Sequence, residues 1–561
     1  MHSKMYQYRS HRRRIYDCIR YDGDSAKING SVDEFISRHI SYFYTTYGGI
    51  HVYNSPYLIF LHYLWRNIIL YFAISYIFYI FVAEYKNIFD MNVIGREYEL
   101  KLLQDLYSSD KSEFIAVYGR RRVGKTFLIR QVFAEKLVFD VAGLANAGTK
   151  EQLVNFNISL NKNNSGITFS VAKNWLTAFE QLIELVGKLP QERKVIFFDE
   201  IPWMDTLRSG FISALEHFWN GWACARKDIV LIVCGSASSW IINKLINNRG
   251  GLHNRLTRTI HLKQFTLYEC EQYFQSRKMD LSRYQIAECY MIMGGIPYYL
   301  NKMEKGLSVA QNIDQMFFSE NTELKNEFKN LYAALFRNSA DYLQVVATLS
   351  KKMKGLSRNE IADAAKLTSG GGLTEILQNL EYCGFIRSYP SFDKKKRNVL
   401  YQLIDPFTLF YYKFIEKNEY NDDRFWSNSL DTPLHNSWAG YAFEILALLH
   451  IKEIKKALSI AGIQSLVSSW RSEKTSPGAQ IDLIINRKDG IINLLEIKFS
   501  NSEYTITKSY EENLRNKTAA FKAETKTRKA VHLLMLTTYG ISKNQHSEIV
   551  QKELVFSDLF N

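Results

Sequence analysis

Cysteine is scarce in this chain: six in 561 residues, at Cys18, Cys224, Cys234, Cys270, Cys289 and Cys383. No two form a C-x-x-C pair, which excludes a disulfide framework and a zinc site and fits buried thiols in a reducing cytoplasm. Also missing is an apolar run long enough to cross a bilayer. The Tyr/Phe/Ile-rich stretch 57–83 is broken by His62, Arg66 and Asn67. Its uninterrupted part, Ile68 to Ala83, is shorter than the ~20 residues a spanning helix needs. Using the whole stretch would bury Arg66 near mid-bilayer, at a cost of roughly 2.5–3.5 kcal/mol. Arg9, Arg12, Arg13, Arg14 and Arg20 would also hold the N-terminus inside and leave everything downstream outside. The stretch lies too deep for a secretory signal and has no small-residue cleavage pattern.

What is present is ordinary globular composition, 46% hydrophobic and 23% charged. That length exceeds one hydrophobic core, so about three or four domains are expected. A formal net charge of +14 and a pI near 9.1 favour a polyanionic partner, nucleic acid first and an anionic membrane surface second.

The most informative segment is Gly119-Arg120-Arg121-Arg122-Val123-Gly124-Lys125-Thr126. It follows a strand-like run, Phe114 to Tyr118, and precedes a helix-like one, Phe127 to Phe133. Strand, G-x-x-x-x-G-K-[ST], then helix is the context of a phosphate-binding loop. Its glycines let backbone N–H groups curl around phosphate oxygens, and the helix aims its positive end at them. Lys125 is expected on the β- and γ-phosphates of ATP and the Thr126 hydroxyl on Mg²⁺. Downstream, Lys194-Val-Ile-Phe-Phe-Asp199-Glu200 reads as a buried parallel strand whose tip carries two acids. Asp199 fits a Mg²⁺ ligand and Glu200 the base that activates water.

These segments resemble the archaeal-type ATPase family of the AAA+/STAND group. So do Ile94-Gly-Arg96-Glu97, Cys234-Gly-Ser236, Asn254-Arg255 and Gly294-Gly-Ile-Pro297. The resemblance runs from about Met91 to the C-terminus. It implies that Ser236, at the end of a buried strand, contacts the γ-phosphate or attacking water. It implies Arg255 as the arginine finger, with Arg258 as the alternative. Ile94, Arg96 and Phe127 would flank the nucleotide, and Pro297 would belong to a lid motif near adenine. Residues 1–90 precede this pattern and are read either as an over-extended start or as a membrane-associating appendage.

From Ser339 the sequence turns to short helices. A capping-box pattern, Ser357-Arg-Asn-Glu360, precedes Ile361, and Gly370 to Gly372 lead into Leu373 to Cys383. Strand-like Phe385–Tyr389 and Val399–Leu403 flank a basic tip, Asp393-Lys-Lys-Lys-Arg397. Three helices and a hairpin read as a winged helix-turn-helix. Its second motif helix would enter a DNA groove and its tip would touch phosphates. The alternative is that it only packs domains together.

A second chemistry follows. Asp482 lies in a strand-like run, and Glu496-Ile-Lys498 ends the next one. An acid with E-x-K on the neighbouring strand resembles the PD-(D/E)XK nuclease fold, in which carboxylates bind Mg²⁺ and lysine orients water. Glu496 and Lys498 share a face because strand side chains alternate. Asp482 joins them only if paired residue numbers sum to an even value, which needs a three-residue loop or a bulge near Gly490. Glu444, the lone acid of an apolar helix from Gly440 to Leu449, matches the acid on that fold's first helix.

The expected plan is α/β: residues 1–90 an appendage, 91–265 a P-loop ATPase core with a parallel sheet, 266–335 a helical lid, 336–415 a winged helix, and 430–561 a nuclease-like domain. ATP and Mg²⁺ are the expected cofactors and DNA the expected partner. A homo-oligomer is compatible with this plan, and membrane contact is expected only through residues 57–83. The expected location is cytoplasmic. The rival plan is a slowly cycling nucleotide switch or DNA-binding regulator whose nuclease-like domain is inactive.

Overall fold

Strand β1 (Glu113–Tyr118) runs through the middle of an all-parallel sheet with β2 (Leu137–Ala142), β3 (Lys194–Asp199), β4 (Ile229–Gly235) and β5 (Arg258–His261). Their order is β2-β3-β4-β1-β5. The computed structural model describes residues 93–560, apart from 163–165, 237, 321, 323, 325, 337, 391, 393–398, 419–421, 473–477 and the side chain of Asp482. The appendage with its apolar stretch 57–83, Cys18 and the basic tip Asp393–Arg397 lie outside the described residues. No helix among the described residues is long and apolar enough to cross a membrane.

Unbroken apolar strands suit a sheet covered on both faces. β3 and β4 are buried along their whole length. Alternate residues divide between two cores, as a period of two requires. Ile115, Val117, Val195 and Phe197 face one side. Phe114, Ala116, Ile196 and Phe198 face the other. Each phenylalanine so buried contributes roughly 1.5–3 kcal/mol. Because β4 lies between β1 and β3, its tip is held between the phosphate loop and the Asp199–Glu200 tip.

Helix α1 (Glu97–Tyr107) precedes the sheet, and α2 (Lys125–Phe133) begins at the phosphate loop. Gly124 starts α2 at φ 93° with no side-chain cap, leaving its first N–H groups free for a ligand. Helices α3 (Thr149–Asn161), α4 (Trp175–Lys188) and α5 (Phe211–Gly221) pack on the Phe198 face. Then come α6 (Leu267–Ser276), α7 (Arg283–Met293), the short helix Pro297–Leu300 and α8 (Glu327–Leu335). Capping boxes at Thr266/Glu269 and Ser282/Gln285 start α6 and α7, and Gly294 at φ 70° ends α7.

Three further helices follow: α9 (Ser339–Ser350), α10 (Arg358–Ala364) and α11 (Gly371–Tyr382). Ser357 and Glu360 form the capping box their spacing predicts. The hairpin β7 (Ile386–Pro390)–β8 (Val399–Leu403) is antiparallel, and β6 (Leu356–Ser357) pairs with β8. Helix α12 (Pro406–Phe410) leads toward α13 (Pro433–Leu449) and the last sheet.

That sheet has the order β13-β12-β11-β10-β9, from β9 (Ser465–Arg471), β10 (Gln480–Arg487), β11 (Ile491–Lys498), β12 (Ala530–Thr537) and β13 (Lys552–Val555). β9, β10 and β11 are antiparallel, whereas β11, β12 and β13 are parallel. Helix α14 (Lys508–Thr525) makes the crossover that a parallel β11–β12 pair demands. At the other edge the Phe392 N–H, just past the end of β7, donates to Ser469 O of β9 at 3.0 Å. Phe392 also packs on Phe521 of α14, with ring centroids 4.9 Å apart. Among the described residues one apolar core includes both Leu100 and Phe560, a second lies on the Phe198 face and a third beneath α14.

Candidate functional site

The tips of β1, β3 and β4 converge on one cluster. Lys125 is buried, and its Nζ donates to Gly119 O (3.0 Å), Arg120 O (2.9 Å) and Ser236 Oγ (3.0 Å). The Ser236 hydroxyl donates in turn to Glu200 Oε1 at 2.5 Å, and its N–H to Glu200 Oε2 at 3.1 Å. Thr126 Oγ1 donates to Asp199 Oδ2 at 2.8 Å, and the Glu200 N–H to Asp199 Oδ1 at 3.0 Å. Gly119, Gly124, Lys125, Thr126, Asp199, Glu200 and Ser236 are thus brought together.

The electrostatics suit a metal-bound anion. Burial pushes the Asp199 carboxyl up from its ordinary value, Thr126 offsets part of this, and Glu200 adds to it. Among the described residues Asp199 has no cationic side chain bonded to it. A divalent ion between Thr126 and Asp199 would supply the missing charge, so these oxygens fit Mg²⁺. Burial and the nearby Lys263 and Lys125 lower His261 to about 4, so that ring is neutral.

Strained backbone surrounds the cluster: Arg96 (φ 64°), Arg122 (φ 73°) and Glu200 (φ 44°) are non-glycine residues in the left-handed region. At Gly119, φ 148°, an added Cβ would lie 2.1 Å from Leu262 O, so only glycine fits. Arg96 is buried, donating to Val123 O (3.3 Å) in the loop and to Lys263 O (2.7 Å). Ile94 is half-buried nearby in sequence, and Phe127 is half-exposed at the start of α2. Pro297 begins its short helix, and the next residue, Tyr298, lies under Arg122 with the guanidinium 3.7 Å from the ring centre. Arg121 is half-buried. Arg255 and Arg258 are exposed, and neither forms an ion pair with a described acid. The structure does not bring them to Lys125 within this chain.

Sequence reasoning missed what the loop arginines do. Arg120 and Asp405 form a buried, two-pronged ion pair, with Nη2 to Oδ2 at 3.2 Å. Asp405 also caps α12 by accepting from the Thr408 N–H (2.9 Å) and hydroxyl (2.6 Å). The Arg120 guanidinium lies 4.9 Å from the centre of the Phe385 ring. Arg122 pairs with buried Glu327 of α8 at 2.7 Å, and Glu327 also accepts from the Tyr299 hydroxyl at 3.0 Å. Two residues of the phosphate loop are therefore tied to segments far downstream.

Helix α11 packs on the helical turn Ser238–Trp240, just beyond Ser236, and Cys383 lies against Ser238. It contains no lysine or arginine. The expectation that this helix enters a DNA groove therefore meets a helix without a cation, docked on the ATPase core.

A second cluster sits on the last sheet. Leu483 lies opposite Leu495 and Ile484 opposite Leu494, an even sum, with Gly490 at φ 87° in the loop. The described register ends at the Leu483–Leu495 pair, and β10 shifts register against β9 between Ile481 and Ile484. Lys498 lies 3.3 Å from Glu496 and also feels Glu444. Glu444 is half-buried on α13, not enclosed as an apolar helix suggests. Two residues missed in the sequence complete the group. The Tyr510 hydroxyl donates to Glu496 Oε1 at 2.8 Å, and Lys517 Nζ lies 3.1 Å from both Glu496 oxygens. Both come from α14 and are seven apart, a same-face spacing that could have nominated them. Burial pushes Glu496 up, but Lys517, Lys498 and Tyr510 outweigh it and hold the carboxyl below its ordinary value. Among the described residues no three acids, histidines or cysteines form a metal-ligand group.

Residues 94–303 match the family described as an ATPase domain predominantly from Archaea. An uncharacterised protein of Methanocaldococcus jannaschii is 24% identical over 416 residues, covering 73% of this chain and 88% of its own length. An uncharacterised ATP-binding protein of the same organism is 40% identical over 45 residues, 8% of this chain and 76% of its own length. Among solved structures, a Walker-type ATPase of Pyrococcus abyssi is similar with a TM-score of 0.40 and 18% identity, covering 57% of this chain and 96% of that one. The ORC2 protein of Aeropyrum pernix, solved with ADPNP and ADP, gives 0.36 and 13%, covering 60% and 98%.

Proposed function

We propose that the archaeal-type ATPase domain at residues 94–303 binds ATP with Mg²⁺ and hydrolyses it, and that nucleotide state moves downstream modules that act on DNA. One observation carries the first part: the contact chain from Lys125 through Ser236 to Glu200. On this reading Lys125 leaves the Gly119 and Arg120 carbonyls for the β- and γ-phosphates. Thr126 and Asp199 would hold Mg²⁺, which would supply charge that offsets the phosphates. Glu200 accepts a proton from water as the water oxygen bonds to the γ-phosphorus. The bond from that phosphorus to the bridging oxygen breaks, leaving ADP and phosphate. Ser236 holds Glu200 beside the reacting phosphate, and Arg255 of a second copy of the chain is assigned the stabilising cation.

The test is Glu200→Gln. Turnover should fall about 10²- to 10⁴-fold, the usual worth of a general base, with ATP binding retained. Unchanged turnover would reject Glu200 as the base.

The second part is supported by the Arg122–Glu327 and Arg120–Asp405 pairs, which link the phosphate loop to the lid segment and to a residue beyond it. Three helices and a hairpin favour a winged helix, and the cation-free α11 favours a packing role for it. A basic hairpin tip and the +14 charge favour DNA as partner. The even register of β10–β11, with Lys498 beside Glu496, favours a nuclease-like C-terminal domain. The rival reading, a slowly cycling switch whose last domain only binds, draws on the Glu200 carboxylate being fully engaged by Ser236. Metal-dependent cleavage of plasmid DNA, lost in Asp482→Ala, would decide for the nuclease.

A further inference from the structure

Arg122 stands inside the phosphate loop at φ 73°, a left-handed conformation that L side chains rarely adopt. Gly124 is left-handed too, at φ 93°, but glycine goes there freely. Left-handed residues at 122 and 124 turn the N–H groups around them to one side, the concave arrangement in which backbone binds an anion. An arginine keeps that conformation only where its surroundings hold it. Here the guanidinium lies 3.7 Å from the centre of the Tyr298 ring, and Nη2 lies 2.7 Å from Glu327 Oε2. Glu327 is 2% exposed and is itself fixed by the Tyr299 hydroxyl at 3.0 Å. Burial pushes its carboxyl up, and Arg122 is the largest influence drawing it back. Tyr298 and Glu327 come from different elements, the short helix Pro297–Leu300 and α8, yet both close on one side chain of the loop.

We infer that Tyr298 and Glu327 are positioning residues of the ATP site: they grip the Arg122 side chain, keep residue 122 left-handed and so keep the phosphate loop curled for a triphosphate. The inference rests on the reading of residues 119–126 as an ATP-binding loop. Both residues act through Arg122 and neither is required to touch the nucleotide. With α8 and the short helix seated on the loop, its N–H groups are set before the nucleotide arrives, and less ordering is left for binding to meet. When they withdraw, Arg122 relaxes to ordinary backbone and the loop loses its hold on phosphate. By linkage, bound nucleotide strengthens that seating by the same factor.

The test titrates the full chain with a fluorescent ATP analogue, mant-ATP, in the presence of Mg²⁺, and reads affinity by anisotropy. In the wild-type loop Glu327→Gln should weaken binding about tenfold. In Arg122→Gly, where glycine takes the left-handed conformation unaided, adding Glu327→Gln should shift the affinity by less than about twofold. Tyr298→Ala should follow the same pattern; its ring is only half-buried, so it serves where Glu327→Gln fails to fold. Binding by Glu327→Gln that equals or exceeds the wild type would overturn the inference. So would an equal loss in both loops, since Glu327 would then act on the fold and not through Arg122. Loss of binding in Arg122→Gly would overturn it as well, by showing that the charge and not the backbone of residue 122 matters. No binding in any variant, wild type included, would overturn the ATP-binding reading and the inference with it.

Discussion

The Ser236 hydroxyl joins Lys125 to Glu200: it accepts from the first and donates to the second. On the proposed reading a cation for phosphate and a carboxylate for water are thereby held on one oxygen. Ser236→Ala removes that bridge but neither group. Turnover should drop about 10- to 100-fold while ATP binding changes little, because the lost contact matters where charge develops. Steady-state turnover beside a nucleotide titration would separate the two effects. An unaltered rate would remove Ser236 from the mechanism.

The Arg120–Asp405 pair makes a stability prediction. Both partners are buried, so Asp405→Asn leaves a guanidinium uncompensated, and such losses run to about 3–5 kcal/mol. Arg120→Met combined with Asp405→Asn should recover a large part of it, since no unpaired charge remains. Denaturant unfolding of the two variants is the comparison to make. Additive losses would mean the pair is not coupled.

Asp228 predicts a pH dependence. It accepts from Arg226 at 2.7 Å through each of two nitrogens and from Lys194 at 2.9 Å, tying the starts of β3 and β4. These cations hold its carboxyl well below the ordinary 3.8, Arg226 contributing most. A lowered acid stabilises the fold above its unfolded value and loses that contribution as pH falls through the lowered one. Asp228→Asn should therefore melt earlier than the wild type at pH 7, by about 1 kcal/mol or less once screening is allowed for. The gap should narrow below pH ~4. A gap that stays constant on acidification would count against the pairing.

Gly295 predicts a backbone effect. At φ 66° it sits where an added Cβ would meet Phe265 O and the Tyr290 ring, each at 2.5 Å. Gly295→Ala should cost about 1–3 kcal/mol through strain and displacement of that ring, read as a lower melting temperature. An unchanged melting temperature would show that the loop relaxes freely.

The residues legible in the sequence are those whose role is written locally. The phosphate loop, the two acids after a buried strand, and Ser236 at the end of another are patterns within eight residues. Their meeting follows from the parallel sheet. The Ser357 capping box is local in the same way. Asp405 was not legible, because Arg120 lies 285 positions away and a lone acid before proline carries no mark of its partner. Glu327 was hidden for the same reason. The even register of β10–β11 could be posed as a condition but not settled, since Asp489-Gly490 serves two- and three-residue loops alike. The absence of lysine and arginine from α11 was readable, and the overall positive charge obscured it.

The bond from Phe392 to Ser469 closes off one margin of the last sheet. Unpaired strand margins invite other chains, and here a neighbouring module of the same polypeptide fills the vacancy. The 430–561 segment produced alone would present β9 bare, together with the apolar ring of Phe521 that Phe392 covers. Its self-association would then reflect the missing hairpin and not a native assembly.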